Sequence, residues 1–140
     1  MTFSCDPFFI LRGNAIDVLA TLQTKVDSLI TSPPYYQQRS YGASTSELGR
    51  ESSVAEYISN LVAVFKAVPL NPWGSIWVNI GDKRDKNGGL LSIPAQFCLA
   101  INEAGFHLID NVIWAKESVQ VDGKSIGHCM IEPAESGECS

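Results

Sequence analysis

Ser32-Pro33-Pro34-Tyr35-Tyr36 gathers a hydroxyl, two pyrrolidine rings and two phenol rings in one run, directly after the apolar stretch Val26–Thr31. Proline has a fixed φ and no backbone N–H, so the carbonyls around Pro33 and Pro34 are left as acceptors for whatever enters the loop. Ser32 adds a hydroxyl that donates or accepts. Tyr35 adds a ring face on which a planar heterocycle can stack, an interaction worth about 1 to 3 kcal/mol per nucleobase. Oxygen acceptors beside an aromatic face suit an aromatic amine.

Chemistry at such a corner requires a scaffold that presents it. The residues before a proline are pushed to extended conformations, so Val26–Thr31 is predicted to be a strand that stops at the Ser-Pro-Pro corner. In open α/β sheets, ligands bind just outside the carboxyl ends of strands. The flanking pattern alternates accordingly. Residues 8–11 read as a short strand. Residues 15–22 read as a helix, with Ile16, Leu19 and Leu22 at helical spacing. Residues 37–53 are polar and rich in Ser and Gly, the composition of a long loop that orders on binding. Ser53 followed by Glu56 caps a helix over residues 54–67, with an apolar stripe of Tyr57, Ile58, Leu61, Val64 and Phe65. Pro69, Pro72 and Gly74 end it before a strand at residues 76–80. Pro94 opens a helix that reaches Glu103 and stops at Gly105, and residues 107–114 read as the last strand. Trp114 and Lys116 share one face of that strand's extension, either as a core ring beside a solvated lysine or as part of a site rim. His107 begins the strand and carries no catalytic role.

The Thr-Ser-Pro-Pro-Tyr segment resembles the catalytic motif of the DNA methyltransferases that methylate exocyclic amino groups with S-adenosylmethionine. Ser before the Pro-Pro-Tyr is typical of the cytosine-N4 enzymes, and Asp in its place of the adenine-N6 enzymes. The resemblance assigns Ser32 and the Pro33 carbonyl to the amine hydrogens of a flipped-out base, and Tyr35 to stacking, with Pro34 completing the catalytic set. An exocyclic amine has its lone pair delocalised into the ring; accepting hydrogen bonds from its protons localises that pair. No covalent cysteine intermediate is required. Other segments fit in the same order. Residues 11–19 resemble the turn and helix before the catalytic strand, with Asn14 where Asp is usual, a change that keeps a hydrogen-bonding side chain and removes a charge. Residues 75–82 resemble the next strand with its Gly-Asp end, and residues 111–116 the later strand with Trp-x-Lys. The resemblance implies a partial Rossmann-like methyltransferase fold, three-layer α/β/α, over residues 8–130. It places Asn14 and Thr31 on the cofactor side, and Tyr36, Lys83, Trp114 and Lys116 on the substrate side. The Phe-x-Gly-x-Gly loop that cradles S-adenosylmethionine in this motif order does not occur in the sequence, and Gly88-Gly89 does not replace it. The expectation is therefore a catalytic half, residues 1–127, followed by a polar acidic tail at 128–140 that is expected to be disordered. The implied partners are duplex DNA with a flipped base, a complementary methyltransferase half, and a second copy of the chain. A fold that has kept its shape and lost its reaction, serving as an interaction module, is the alternative.

The remaining features bound these readings. A chain of 140 residues with 45% hydrophobic residues describes one domain with material for a core. A formal net charge of −5 argues against strong autonomous binding to a phosphate backbone. Lys83-Arg84-Asp85-Lys86 is the nearest approach to a basic patch. It is either a solvated loop or a phosphate contact on the same rim as Ser32. Cys5, Cys98, Cys129 and Cys139 lack paired ligand spacing, so reduced thiols and no metal centre are expected. No apolar run has membrane-spanning length, and the first residues do not form a signal peptide, so a cytoplasmic protein is expected. Pro33-Pro34-Tyr35-Tyr36 also fits the Pro-Pro-x-Tyr pattern of WW-domain ligands, but it follows a buried-looking strand, whereas such ligands are extended and accessible.

Overall fold

The structure, a computed structural model, describes residues 8, 10–39, 42 and 47–114, and the backbone of residues 119–121 and 124–126. The chain divides into two units, Met1–Leu108 and Ile109–Ser140.

The first unit is built on a parallel pair, β1 (Val26–Thr31) and β2 (Leu70–Val78), connected through helix α2 (Val54–Lys66). Parallel neighbours cannot be joined by a tight turn, and the 54–66 helix supplies the crossover. α2 begins where the sequence predicts: the Ser53 hydroxyl accepts from the Glu56 N–H at 3.2 Å, and the Glu56 carboxylate reaches back to the Ser52 N–H at 3.2 Å and hydroxyl at 2.8 Å. Its Tyr57, Ile58, Leu61 and Phe65 are buried, one stripe at helical spacing. They meet Ile93, Phe97 and Ile101 of α3 (Ile93–Glu103), and the rings of Phe65 and Phe97 pack edge to face at 5.7 Å. Leu29 of β1 and Ile76 and Val78 of β2 close this core from the sheet side.

Helix α3 ends in a Schellman motif. The N–H of Phe106 bonds to the Ile101 carbonyl at 3.1 Å and that of Gly105 to Asn102 at 3.0 Å, with Gly105 at φ +96°. Helix α1 (Ala15–Ala20) is short, buries none of its residues and lies against α2.

Four expectations change here. The longer strand is Leu70–Val78, so Pro72 and Gly74 lie inside it. They are tolerated because between the pairs Val26–Leu70 and Ser28–Ser75 a single residue of β1, Asp27, is matched by four of β2, from Asn71 to Gly74; the surplus bulges where no ladder bond is needed. Phe8, Ile10 and Leu11 form no strand, and neither do residues 107–114. Both stretches have the apolar content of strands, but a strand exists only through its ladder, and no described segment pairs with them. The arrangement of the first unit is mixed α/β with helices against one sheet face; on the other face Ile30 is 80% exposed and its cross-strand neighbour Trp77 61%. A second helical layer is thus not present among the described residues.

In the second unit, β3 (Val119–Val121) and β4 (Lys124–Ile126) pair antiparallel, Val119 opposite Ile126. The sequence reading missed this pair, although the Asp-Gly dipeptide between its strands is a hairpin signal. Residues 128–140, the expected tail, lie outside the described residues.

Candidate functional site

β1 delivers the Ser-Pro-Pro-Tyr corner to the carboxyl end of the parallel pair. The ladder continues one bond past β2, with the Asn79 N–H donating to the Thr31 carbonyl at 2.9 Å, so the two chain ends leave side by side. Ser32 is exposed, Pro33 is buried, and Pro34 and Tyr35 are half-buried. The Ser32 hydroxyl lies 3.4 Å from the Tyr35 hydroxyl, beyond the usual range for such bonds, which leaves both groups open to a stronger partner.

Three neighbours hold the corner. Tyr57, fully buried on α2, donates its hydroxyl to the Pro34 carbonyl at 2.9 Å. Burial, with smaller contributions from the nearby Glu51 and Tyr35, pushes the Tyr57 phenol up to about 12, so it remains a donor at any working pH. Gly49 lies against the back of the corner at φ +90°; a β-carbon there would come within 3.0 Å of the Tyr35 carbonyl oxygen and 3.2 Å of that of Pro34. Gly81, just beyond β2, lies against the ring of Tyr35. With the Pro34 carbonyl engaged by Tyr57, no described group donates to the Pro33 carbonyl.

The stretch after the corner is tied down at its base. Gln37 sits at φ +48°, an uncommon conformation for a residue with a side chain, and its N–H donates to the Gly49 carbonyl at 2.6 Å. Its side-chain amide reaches the Tyr36 hydroxyl at 3.0 Å and the Glu51 carbonyl at 3.1 Å. Glu51 is itself buried, its carboxylate accepting from the Gly49 N–H at 2.8 Å and from the Asn60 amide at 3.0 Å. The two ends of the 37–53 loop are thereby tied to each other, and through Glu51 and Asn60 to α2.

Asp82 and Lys83 form the opposite wall. The Asp82 carboxylate accepts from the Lys83 N–H at 2.8 Å and the Ile93 N–H at 3.1 Å, capping α3 in place of Ser92, whose side chain makes no cap bond. The Lys83 ammonium donates to the Gln37 carbonyl at 3.3 Å and side-chain oxygen at 3.1 Å and lies 5.5 Å from the Tyr36 ring centroid. One of its three protons is left without a partner among the described residues.

The structure thus brings Thr31, Ser32, Pro33, Pro34, Tyr35, Tyr36 and Lys83 together. Tyr36 stands apart in kind: it is 6% exposed, with its ring 5.6 Å from that of Tyr57, which makes it a core residue supporting the corner. Asn14 caps α1, accepting from the Ile16 N–H at 3.0 Å, and among the described residues no hydrogen bond joins it to the corner. Trp114 belongs to the second unit, and Lys116 lies outside the described residues. Tyr57, Gly49, Glu51, Gly81 and Asp82 were not singled out as site residues from the sequence. Tyr57 reads there as one more apolar helix position; a polar-tipped ring in a buried stripe is the signal that could have marked it, since a buried phenol requires a partner.

Among the described residues no group of side chains is arranged to hold a metal ion, and no helix is long and apolar enough to cross a membrane.

No solved structure matches the chain. Relatives include the type II methyltransferase M.MwoI of Methanothermobacter wolfeii, 35% identical over 76% of this chain and 17% of its own length. They also include M.SmaI of Serratia marcescens, 30% identical over 79% of this chain and 48% of its own, and M.Cfr9I of Citrobacter freundii, 29% identical over 76% and 46%. The chain therefore spans about half or less of the length of these relatives. A DNA methylase family model matches residues 26–135, from the first residue of β1 onward, and the chain belongs to that DNA methylase family.

Proposed function

We propose that this chain carries the base-holding part of an S-adenosylmethionine-dependent DNA methyltransferase of Rossmann-like fold, directed at the exocyclic amine of a flipped-out base, with cytosine N4 as the target and adenine N6 as the runner-up. The observation that carries the proposal is the division of labour between the two proline carbonyls. Tyr57 holds that of Pro34, whereas that of Pro33 accepts from no described group and the Ser32 hydroxyl stands near the Tyr35 hydroxyl. An amine placed there donates its protons to both oxygens, which draws its lone pair out of conjugation with the base. The Tyr35 ring stacks on the base and keeps it in plane. Lys83, anchored through Gln37, offers its remaining proton to a phosphate near the rim.

S-adenosylmethionine supplies an electrophilic methyl group when bound. The described residues do not fit it on their own: the Asn14 side chain is engaged at the start of α1, and Thr31 contributes its carbonyl to the ladder. The cofactor and target-recognition elements are therefore assigned to a complementary methyltransferase segment, in keeping with the greater length of the relatives. Their type II methyltransferase names suggest a place in restriction and modification.

The alternative, an interaction module that has lost the reaction, is favoured by that lack of a cofactor cradle. Transfer of labelled methyl groups from S-adenosylmethionine to duplex DNA, measured with and without a segment supplying the Phe-x-Gly-x-Gly loop, separates the two. Transfer only with the added segment supports the half-enzyme. No transfer in either mixture, together with no heat on titration of S-adenosylmethionine, supports the module.

A further inference from the structure

We infer that Tyr57 is a positioning residue for the amine acceptors: its hydroxyl, by holding the Pro34 carbonyl toward α2, sets the direction in which the Pro33 carbonyl and the Tyr35 ring face. The inference rests on the base-holding role just proposed. Two consecutive prolines leave little freedom within the corner, since both φ angles are fixed by their rings. The orientation of the Pro34–Tyr35 peptide is the hinge of what remains. That peptide is clamped on both sides. Tyr57 holds its oxygen at 2.9 Å from in front, and Gly49 lies so close behind that a β-carbon would approach the same oxygen to 3.2 Å. A rotated peptide would lose the first contact and leave a fully buried phenol without a partner.

The clamp extends to the loop. Glu51 fixes Gly49 through its N–H, Gln37 meets the Gly49 carbonyl, and Tyr36 packs its ring on that of Tyr57. α2 thus presents one side chain, Tyr57, whose ring belongs to the core and whose oxygen belongs to the corner. Removing the oxygen alone separates these two contributions.

The test compares the full chain with Tyr57→Phe, which keeps the ring, and Tyr57→Leu, which loses it. In a triple-resonance spectrum correlating the Tyr35 amide with the preceding carbonyl carbon, Tyr57→Phe is expected to move the Pro34 carbonyl signal upfield. The signals of α3 should stay in place and the thermal midpoint should stay near that of the wild type. Tyr57→Leu should lower the midpoint as well. In the enzyme assembled with its complementary segment, Tyr57→Phe is expected to lower kcat about tenfold, with KM for DNA within about twofold, as for loss of an interaction that matters in the transition state. An unmoved Pro34 carbonyl signal in Tyr57→Phe overturns the inference, as does an unchanged kcat. The carbonyl measurement requires neither DNA nor methyl donor. Absence of transfer by the wild-type assembly is therefore a failure of the methyltransferase reading, distinguishable from failure of the Tyr57 assignment.

Discussion

The ring of Tyr35 rests on Gly81, so closely that a β-carbon at position 81 would come within 3.1 Å of Tyr35 Cε2 and 3.2 Å of Cδ2. The end of β2 is thereby a floor for the end of β1. Gly81→Ala is expected to tilt the ring outward with a stability loss of about 1 kcal/mol, since a half-buried ring gives way more easily than backbone. Loss of stacking should then appear as weaker binding of a fluorescent base analogue by the assembled enzyme, while the thermal midpoint changes by only a few degrees. Wild-type affinity for the analogue would show that the ring does not stack.

The Tyr57 phenol ties stability to alkaline pH. Its value rises from 10.0 to about 12 on folding. The unfolded chain loses this proton first, so between these values the folded state binds more protons and stability falls as pH rises. Below pH 10 the contribution is fully present; by pH 12 about 2 to 3 kcal/mol is lost. Other tyrosines and lysines titrate nearby, so the measurement is the difference between wild type and Tyr57→Phe in urea midpoints at each pH. The wild-type midpoint should fall relative to that of Tyr57→Phe across the window. A difference independent of pH would remove Tyr57 as its source.

Methyl transfer by the isolated chain to duplex DNA is expected to be undetectable, because the corner alone supplies neither a cradle for the methyl donor nor substantial contact with the DNA backbone. In a reconstituted enzyme, Ser32→Ala should lower the rate roughly tenfold to a thousandfold, the effect of losing one oriented polar contact in a transition state. Robust transfer by the chain alone contradicts the half-enzyme reading, and full activity of the variant contradicts the role of Ser32.

Glu51 anchors the loop through a buried carboxylate with two donors, the Gly49 N–H and the Asn60 amide. Glu51→Ala leaves both without a partner and should cost about 2 to 3 kcal/mol in chemical denaturation. Hydrogen exchange of the Gln37 amide, which bonds to Gly49, should accelerate more than that of α3. Equal acceleration at both places would mean that Glu51 supports the whole unit and not the loop.

Self-association is expected through the open sheet face, where Ile30 and Trp77 stand side by side. Exposed apolar surface next to free strand edges favours partners. Sedimentation at roughly tens of micromolar, a range suited to weak interfaces, should show oligomers that Trp77→Lys disperses. A strict monomer would count against it.

Strand β1, both long helices, the start of α2 and the end of α3 were legible in the sequence because each rests on local chemistry: a Ser-Pro-Pro stop, a Ser53–Glu56 box, a Gly105 termination. The corner's residue types were equally plain. What holds the corner was not, because Tyr57, Gly49, Glu51 and Gly81 reach it from distant positions, and no periodicity records such contacts. Asp82 shows the same limit: the cap of α3 comes from eleven residues upstream, whereas the local signal for its start was Pro94 alone. The segments misread as strands, residues 8–11 and 107–114, failed for a related reason, since pairing depends on a neighbour that local pattern does not specify.

The surplus residues of β2 around Pro72, Trp73 and Gly74 separate the two ends of the strand pair. Below the bulge, Val26 pairs with Leu70; above it, Ser28 to Thr31 pair with Ser75 to Val78 without interruption. A change in chain length at this point is absorbed as a larger or smaller protrusion before it reaches the ladder that leads to Ser32. The bulge therefore acts as a mechanical buffer in this chain, separating the protruding segment from the register that leads to the corner.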